Sequence, residues 1–169
     1  MKNMKADTNY VGIVNDILEN AEFNKIKLIE HHGTTRYNHS VKVSYYSYKL
    51  AKFFKLNYRE VARAGLLHDF FLSDEERTNM ERFKSTFTHP KKAVQNACTY
   101  FQLNEKEKDI IRTHMFPINL SVPKYAESWV VSFVDKVIGT IEFSKKYKYK
   151  IGYVANLYLL FLFNYFNNY

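Results

Sequence analysis

At 169 residues, with 46% hydrophobic and 25% charged residues, the chain has the balance of one globular domain and the length to bury a real core. A lone cysteine, Cys98, excludes an internal disulfide framework and fits a reducing cytoplasmic compartment. The formal net charge of +8 suits anionic partners, and the spread of the lysines along the chain speaks against a nucleic-acid groove.

Tyr and Phe number 14 each, whereas there are only 5 Gly and 3 Pro. So few breakers, with long runs of periodic apolar residues, predict an all-α fold in a single domain spanning 1–169. The N-terminus "MKNMKADTNYVGIVNDILEN" has no apolar core segment of the kind a signal peptide needs, and none is expected. A first helix is predicted from Tyr10 to Phe23, with Val11, Val14, Ile17, Leu18 and Ala21 on one face. "HHGTTRYNH" interrupts the pattern as a loop.

A second helix is predicted from Asn38 to Phe54, with Val43, Tyr46, Leu50 and Phe53/Phe54 as its apolar stripe. Asn57 with Glu60 three residues later forms a capping-box pattern and opens a third helix that ends near Asp69. "SDEERTNMERFKST" lacks an apolar stripe and reads as a mobile or partly helical connection. Pro90 suits a first helical position, so a helix is expected from there to Phe101. Asn104 with Glu107 repeats the capping box and opens a helix to His114.

Pro117 and Pro123 then break the chain. A further helix is predicted from Ala126 to Phe143, carrying Trp129, Val130, Phe133, Val134, Val137 and Ile141. No strand pair and no internal repeat is expected. "IGYVANLYLLFLFNYF", residues 151–166, carries no charge but falls short of the roughly 20 residues a membrane span needs. A buried or partner-covered helix is the favoured reading there. The lysines just before it, Lys145, Lys146, Lys148 and Lys150, leave attachment to a membrane surface as the second.

The six histidines are His31, His32, His39, His68, His89 and His114. The last four stand at predicted helix ends. His68 adjoins Asp69 at the close of the apolar run "GLLHDFFL". Asp135 lies inside the apolar stretch "VVSFVDKVIG", where a buried carboxylate must be paired or bind a metal. Lys136 is adjacent to it, but neighbours on a helix point in different directions. A single histidine at a helix C-terminus has an ordinary reading, stabilisation by the helix dipole. The set is harder to explain that way. Spacings of some 20 to 30 residues place each candidate on a different helix, as in a metal site at the core of a bundle, and imidazole with carboxylate suits Mn, Fe, Co, Ni or Zn.

The ordered series His39, His68-Asp69, His89, His114 and Asp135, with the local sequence "AGLLHD", resembles the HD-domain superfamily of metal-dependent phosphohydrolases, in its subset with six protein ligands and two metals. The resemblance runs over the core, about 36–140, and implies an all-α, HD-domain-like helical bundle. It also implies the ligand roles: His39, His68, Asp69 and Asp135 on one divalent metal, with Asp69 bridging to a second that His89 and His114 complete. Fe or Mn is the favoured metal, with Mg, Co, Ni or Zn as others.

Many two-metal members follow the His-Asp pair with Ile-Gly-Lys. Here Phe70, Phe71 and Leu72 follow, so the family's lysine is absent at that place. Arg36, three residues before His39, is the first choice to hold phosphate in its stead and to assist Asp69 in catalysis. Lys136 is a second substrate-binding candidate, and Lys91, Lys92 and Arg112 are others. The resemblance implies hydrolysis of a small phosphorylated substrate, a nucleotide above all, by metal-activated water. Two alternatives stay open: a di-iron oxygenase using the same six ligands, and a degenerate module that binds a ligand or docks to a partner. A homo-oligomer is compatible with all three.

Overall fold

The computed structural model describes residues 4, 6–31, 34–72 and 79–167; the side chains of 31, 79–86, 146 and 149–167 are left aside. The fold is all-α. Its helices are α1 (Thr8–Leu18), α2 (Ala21–Asn24), α3 (Arg36–Phe53), α4 (Tyr58–Leu67), α5 (Asn79–Tyr100), α6 (Glu105–Thr113) and α7 (Ala126–Asn167), with a 3₁₀ turn at Lys25–Leu28. The predicted Tyr10–Phe23 helix is therefore two. The Asn20 side chain accepts from the N–H groups of Glu22 and Phe23 and starts α2 afresh.

One expectation is corrected by a two-residue antiparallel ladder, β1 (Glu30–His31) with β2 (Thr34–Thr35), in the stretch read as plain loop. The β-branched threonines suit it, and Thr35 then caps α3 by accepting from the Asn38 N–H.

α3 and α4 pack closely, and the residues that permit it are small. Ser40, Ser44, Ser47 and Ala51 recur at helical spacing and are buried. A Cβ built on Gly65 of α4 would stand 3.2 Å from the Cα of Ser44. The predicted stripe of Tyr46, Phe53 and Phe54 is instead exposed. The face of α3 turned to α4 carries small residues, because close approach matters more there than apolar bulk, while Val43 and Tyr48 of the same helix are fully buried in the core.

The two capping boxes fare differently. Asn104 and Glu107 exchange both bonds at the start of α6. Asn57 accepts from the Glu60 N–H, but its own N–H is taken by Glu127 of α7, while Glu60 turns to Asn104 and Lys106. Half of that box is thus spent on tying α4 to α6 and α7.

α5 begins at Asn79, so Pro90 lies inside a helix and not at its start. Pro90 brings no N–H to the ladder and interrupts it at a single bond; the chain on both sides stays helical. The first part of the expected connection, residues 73–78, falls outside the described residues. Downstream, Ala93 and Ala97 bury the same face of α5 from which His89 projects, four and eight residues later.

Asp109 of α6 closes the loop before α7. Its Oδ2 accepts from the Lys124 N–H at 3.1 Å and from Ser128 Oγ at 2.8 Å. α7 then runs unbroken through both the Ala126–Phe143 helix and the 151–166 segment expected to be separate; no Gly-Pro break lies between them to end it. The burial of 151–166 lies outside the described side chains. Among the described residues, no helix is long and apolar enough to cross a membrane. Trp129, Phe133, Val137 and Ile141, four of the apolar residues the predicted helix carries, are exposed. The opposite face of α7 packs inward with Glu127, Ser128, Val131, Ser132, Val134 and Glu142, and Asp135 shares it.

Candidate metal centre

Five helices deliver the six expected residues to one place. His39 sits one turn into α3. His68 is the C-cap of α4 and His114 the C-cap of α6. Asp69 follows His68, His89 comes from α5, and Asp135 comes from the third turn of α7. Three overlapping groups have donor atoms mutually within 4.8 Å: His39, His68 and Asp69; His68, His114 and Asp135; Asp69, His89 and His114.

The imidazoles are oriented by what lies behind them. His68 Nδ1 donates to the Gly65 carbonyl at 2.8 Å, and His114 Nδ1 to the Ile111 carbonyl at 2.7 Å. Each ring thus satisfies an orphan carbonyl at the end of its own helix. The same bond fixes the tautomer of the neutral ring and leaves Nε2 as an acceptor aimed inward. The helix-end reading and the metal reading of these histidines are therefore one arrangement. His39 Nδ1 meets Glu142 Oε2 at 2.8 Å, and its Nε2 meets Asp135 Oδ1 at 3.0 Å.

Asp69 divides its two oxygens. Oδ2 lies 3.6 Å from His68 Nε2. Oδ1 lies 3.5 Å from His89 Nε2 and 3.6 Å from His114 Nε2. His68 Nε2 is also 3.5 Å from Asp135 Oδ1, and His89 Nε2 is 3.0 Å from His114 Nε2.

These spacings test whether a metal fits. An ion with bonds of about 2.1 Å separates its adjacent ligands by roughly 3.0 to 3.4 Å. The separations of 3.0–3.6 Å fall close to that range. His68 Nε2 is fully buried and makes no hydrogen bond among the described residues, although a buried ring nitrogen ordinarily has a partner. The donor set, imidazole nitrogens with carboxylate oxygens, suits divalent transition metals. The residues fit a divalent metal.

The electrostatics are polarised across the cluster. Burial pulls the His39 imidazole down, but its hydrogen bonds to Asp135 and Glu142 outweigh this and push it up to about 10. Burial dominates at His114, with the neighbouring His68 and His89 adding to it, and lowers that ring to about 3. Burial raises Asp135, yet the His39 and His68 imidazoles hold its carboxyl well below the usual range.

Arg36 is buried at the N-terminus of α3. Its guanidinium lies 3.8 Å from the centroid of the Phe71 ring, and Nη1 donates to the Phe71 carbonyl at 2.6 Å. The same ring stacks on His89, with centroids 5.2 Å apart and planes 24° from parallel. Lys136 directs its ammonium to the His114 carbonyl at 2.6 Å and to the Ser132 carbonyl and hydroxyl at 3.3 and 3.2 Å. Burial lowers its pKa, with only partial compensation from Asp135. Lys91, Lys92 and Arg112 are exposed.

Two residues of the site went unread in the sequence, Glu142 and Phe71. Glu142 follows Asp135 by seven residues, two helical turns, so a second acid on the same face of an apolar helix was a usable signal. Phe71 looked like one more core aromatic, and nothing local marks it as a platform for Arg36.

No curated protein and no solved structure matches the chain in comparisons with known proteins. The family model of the HD domain matches residues 36–140, which run from the buried arginine at the start of α3 past Asp135 on α7 and hold all six converging donors. With that match over more than half its length, the chain belongs to the HD-domain family.

Proposed function

We propose that the chain is a cytosolic phosphohydrolase, dependent on divalent metal, that acts on a nucleotide or another small phosphorylated metabolite. The observation that supports this most is the division of Asp69, one oxygen toward His68 and the other toward His89 and His114. A carboxylate so placed can serve two ions at once. His39, His68, Asp69 and Asp135 would hold one, and Asp69, His89 and His114 the other. Bound there, such ions lower the pKa of a coordinated water and neutralise charge on phosphoryl oxygens.

The chain's own groups do the rest. The Nδ1 bonds of His39, His68 and His114 keep each Nε2 aimed at the cluster. Arg36 supplies a permanent cation, held in place by Phe71, beside the ring that also stacks on His89. Its planar fork matches the non-bridging oxygens of a phosphate. The family's lysine after the His-Asp pair is absent, and Arg36 is the group proposed to replace it. Lys136 is the second group proposed to meet the substrate, and its bond to the His114 carbonyl also holds that helix end.

The test is elemental analysis of protein purified without chelator, followed by phosphate release from nucleoside mono-, di- and triphosphates and sugar phosphates with added Mn, Fe, Co, Ni, Mg or Zn. Bound metal and metal-stimulated release are expected. Protein that takes up no metal, or releases no phosphate with any of them, overturns the proposal. Iron-loaded protein whose turnover requires dioxygen replaces it with the oxygenase reading.

A further inference from the structure

Glu142 is buried beside the cluster without being one of its six donors. Its Oε2 meets His39 Nδ1 at 2.8 Å, and its Oε1 pairs with the Lys42 ammonium. On the far side of the same ring, His39 Nε2 meets Asp135 Oδ1. The other two rings with a known Nδ1 partner lean on neutral carbonyls of their own helices, Gly65 and Ile111. His39 leans on a carboxylate from a different helix.

We propose that Glu142 is a positioning residue that makes the group of His39, His68, Asp69 and Asp135 the tighter of two metal positions, so that this one fills first. The inference rests on the reading of the cluster as a two-metal site. Three physical arguments carry it. A carboxylate behind Nδ1 fixes the ring with its Nε2 lone pair toward the ion, and raises the basicity of that nitrogen more than a carbonyl does. The charge is also unevenly distributed. The first group contains two carboxylates, Asp69 and Asp135, with Glu142 behind them, whereas the second shares only Asp69. Finally, Asp135 and Glu142 lie two turns apart on one face of α7, so the helix that supplies the ligand also supplies its support. Lys42 holds the second oxygen of Glu142 and with it the direction in which the carboxylate faces.

A competing role is a plain clamp, in which Glu142 with Lys42 merely pins α3 to α7. Metal titration separates the two. Metal-free full-length protein is titrated with Co2+, followed by calorimetry and by the visible absorption of the bound ion, with a melting curve for each variant. Wild type is expected to fill in two steps. Glu142→Ala should weaken the first step by about tenfold to a hundredfold, the usual effect of losing such a partner, and leave the second unchanged. Glu142→Gln, whose amide oxygen still accepts from Nδ1–H, should lose less; it carries the comparison if the alanine variant does not fold. Lys42→Met keeps the carboxylate behind His39 but frees its second oxygen, and should weaken the first step by less than Glu142→Ala does; a plain clamp would make the two variants alike. An unchanged first step in both Glu142 variants, both steps falling together with the melting temperature, or wild type that binds one ion in a single step, each overturns the inference while leaving a metal-dependent enzyme in place. Wild type that takes up no Co2+ overturns the metal reading and this inference with it.

Discussion

His89 Nε2 stands 3.0 Å from His114 Nε2, and His114 has already given the proton of its neutral ring to the Ile111 carbonyl. In the metal-free protein the bond between these two nitrogens must therefore be donated by His89. A cation between them would accept both lone pairs and dispense with that proton. Two imidazoles from different helices are thus held in a contact that serves an ion at least as well as it serves each other.

Asp69 and His89 are consequently unequal. Asp69→Ala should abolish turnover and lower metal content at both positions, since its two oxygens face different donors. His89→Ala should lower the metal content of one position only and leave residual activity. Metal analysis and turnover of both variants, beside their melting curves, check this. An Asp69→Ala protein that keeps its metals and its activity would reduce His68-Asp69 to a helix ending.

Arg36 is expected to act on substrate and not on metal. Arg36→Ala should lower kcat/KM by about tenfold to a hundredfold, the equivalent of one charge-assisted hydrogen bond, with metal content unchanged. Arg36→Lys keeps the charge but loses the fork that binds the Phe71 carbonyl and lies over its ring, and should recover only part. Steady-state kinetics with a phosphate substrate decide it; a loss confined to metal binding would contradict the assignment.

The stability of the metal-free protein should peak near neutrality. His39 is raised from 6.5 to about 10. Between those values the folded state binds the extra proton, so stability falls as pH rises. His114 is lowered from 6.5 to about 3. Between those values the unfolded state binds the extra proton, so stability rises with pH. Asp135 and Glu142, both held low chiefly by histidine against the effect of burial, add to the loss on the acid side. Each group contributes a slope of at most about 1.4 kcal/mol per pH unit. Melting temperature against pH in chelator should show a maximum near pH 6.5, the unperturbed histidine value, and His39→Asn should flatten the alkaline limb. A monotonic curve would contradict the assignment.

Gly65 is the packing counterpart of these tests. Gly65→Ala would set a Cβ 3.2 Å from the Ser44 Cα, and overpacking of this kind costs about 1 to 3 kcal/mol. Improved helix propensity returns about 1 kcal/mol. A net loss of about 1 kcal/mol is expected in chemical denaturation, accompanied by weaker metal binding, because the Gly65 carbonyl orients His68. An unchanged or higher stability would show that α3 yields freely.

The sequence by itself determined the helical class and singled out the six candidate donors; the breaks were read less well, since the first helix is two, α5 runs through Pro90 and α7 continues past Phe143. Periodicity and caps are local properties, and Asn104 with Glu107 behaves as its spacing says because both partners lie within one turn. The order His39, His68-Asp69, His89, His114, Asp135 was legible for a similar reason: a histidine at a helix end and an acid in an apolar helix are visible one residue at a time.

The tertiary structure decided which helix faces look inward and what stands behind each ligand. Trp129 and Phe133 are apolar, yet they face out because the opposite side of α7 must bring Asp135 and Glu142 to the cluster. Ser44 of α3 faces α4 where Gly65 approaches so closely that a Cβ there would stand 3.2 Å from the Ser44 Cα. Glu142 reaches His39 across 103 positions, and Phe71 meets Arg36 across 35. Contacts of that range depend on how helices cross, and no local pattern encodes the crossing. Which residues are candidate donors is a property of the chain, whereas their orientation, basicity and pairing are properties of the packed helices.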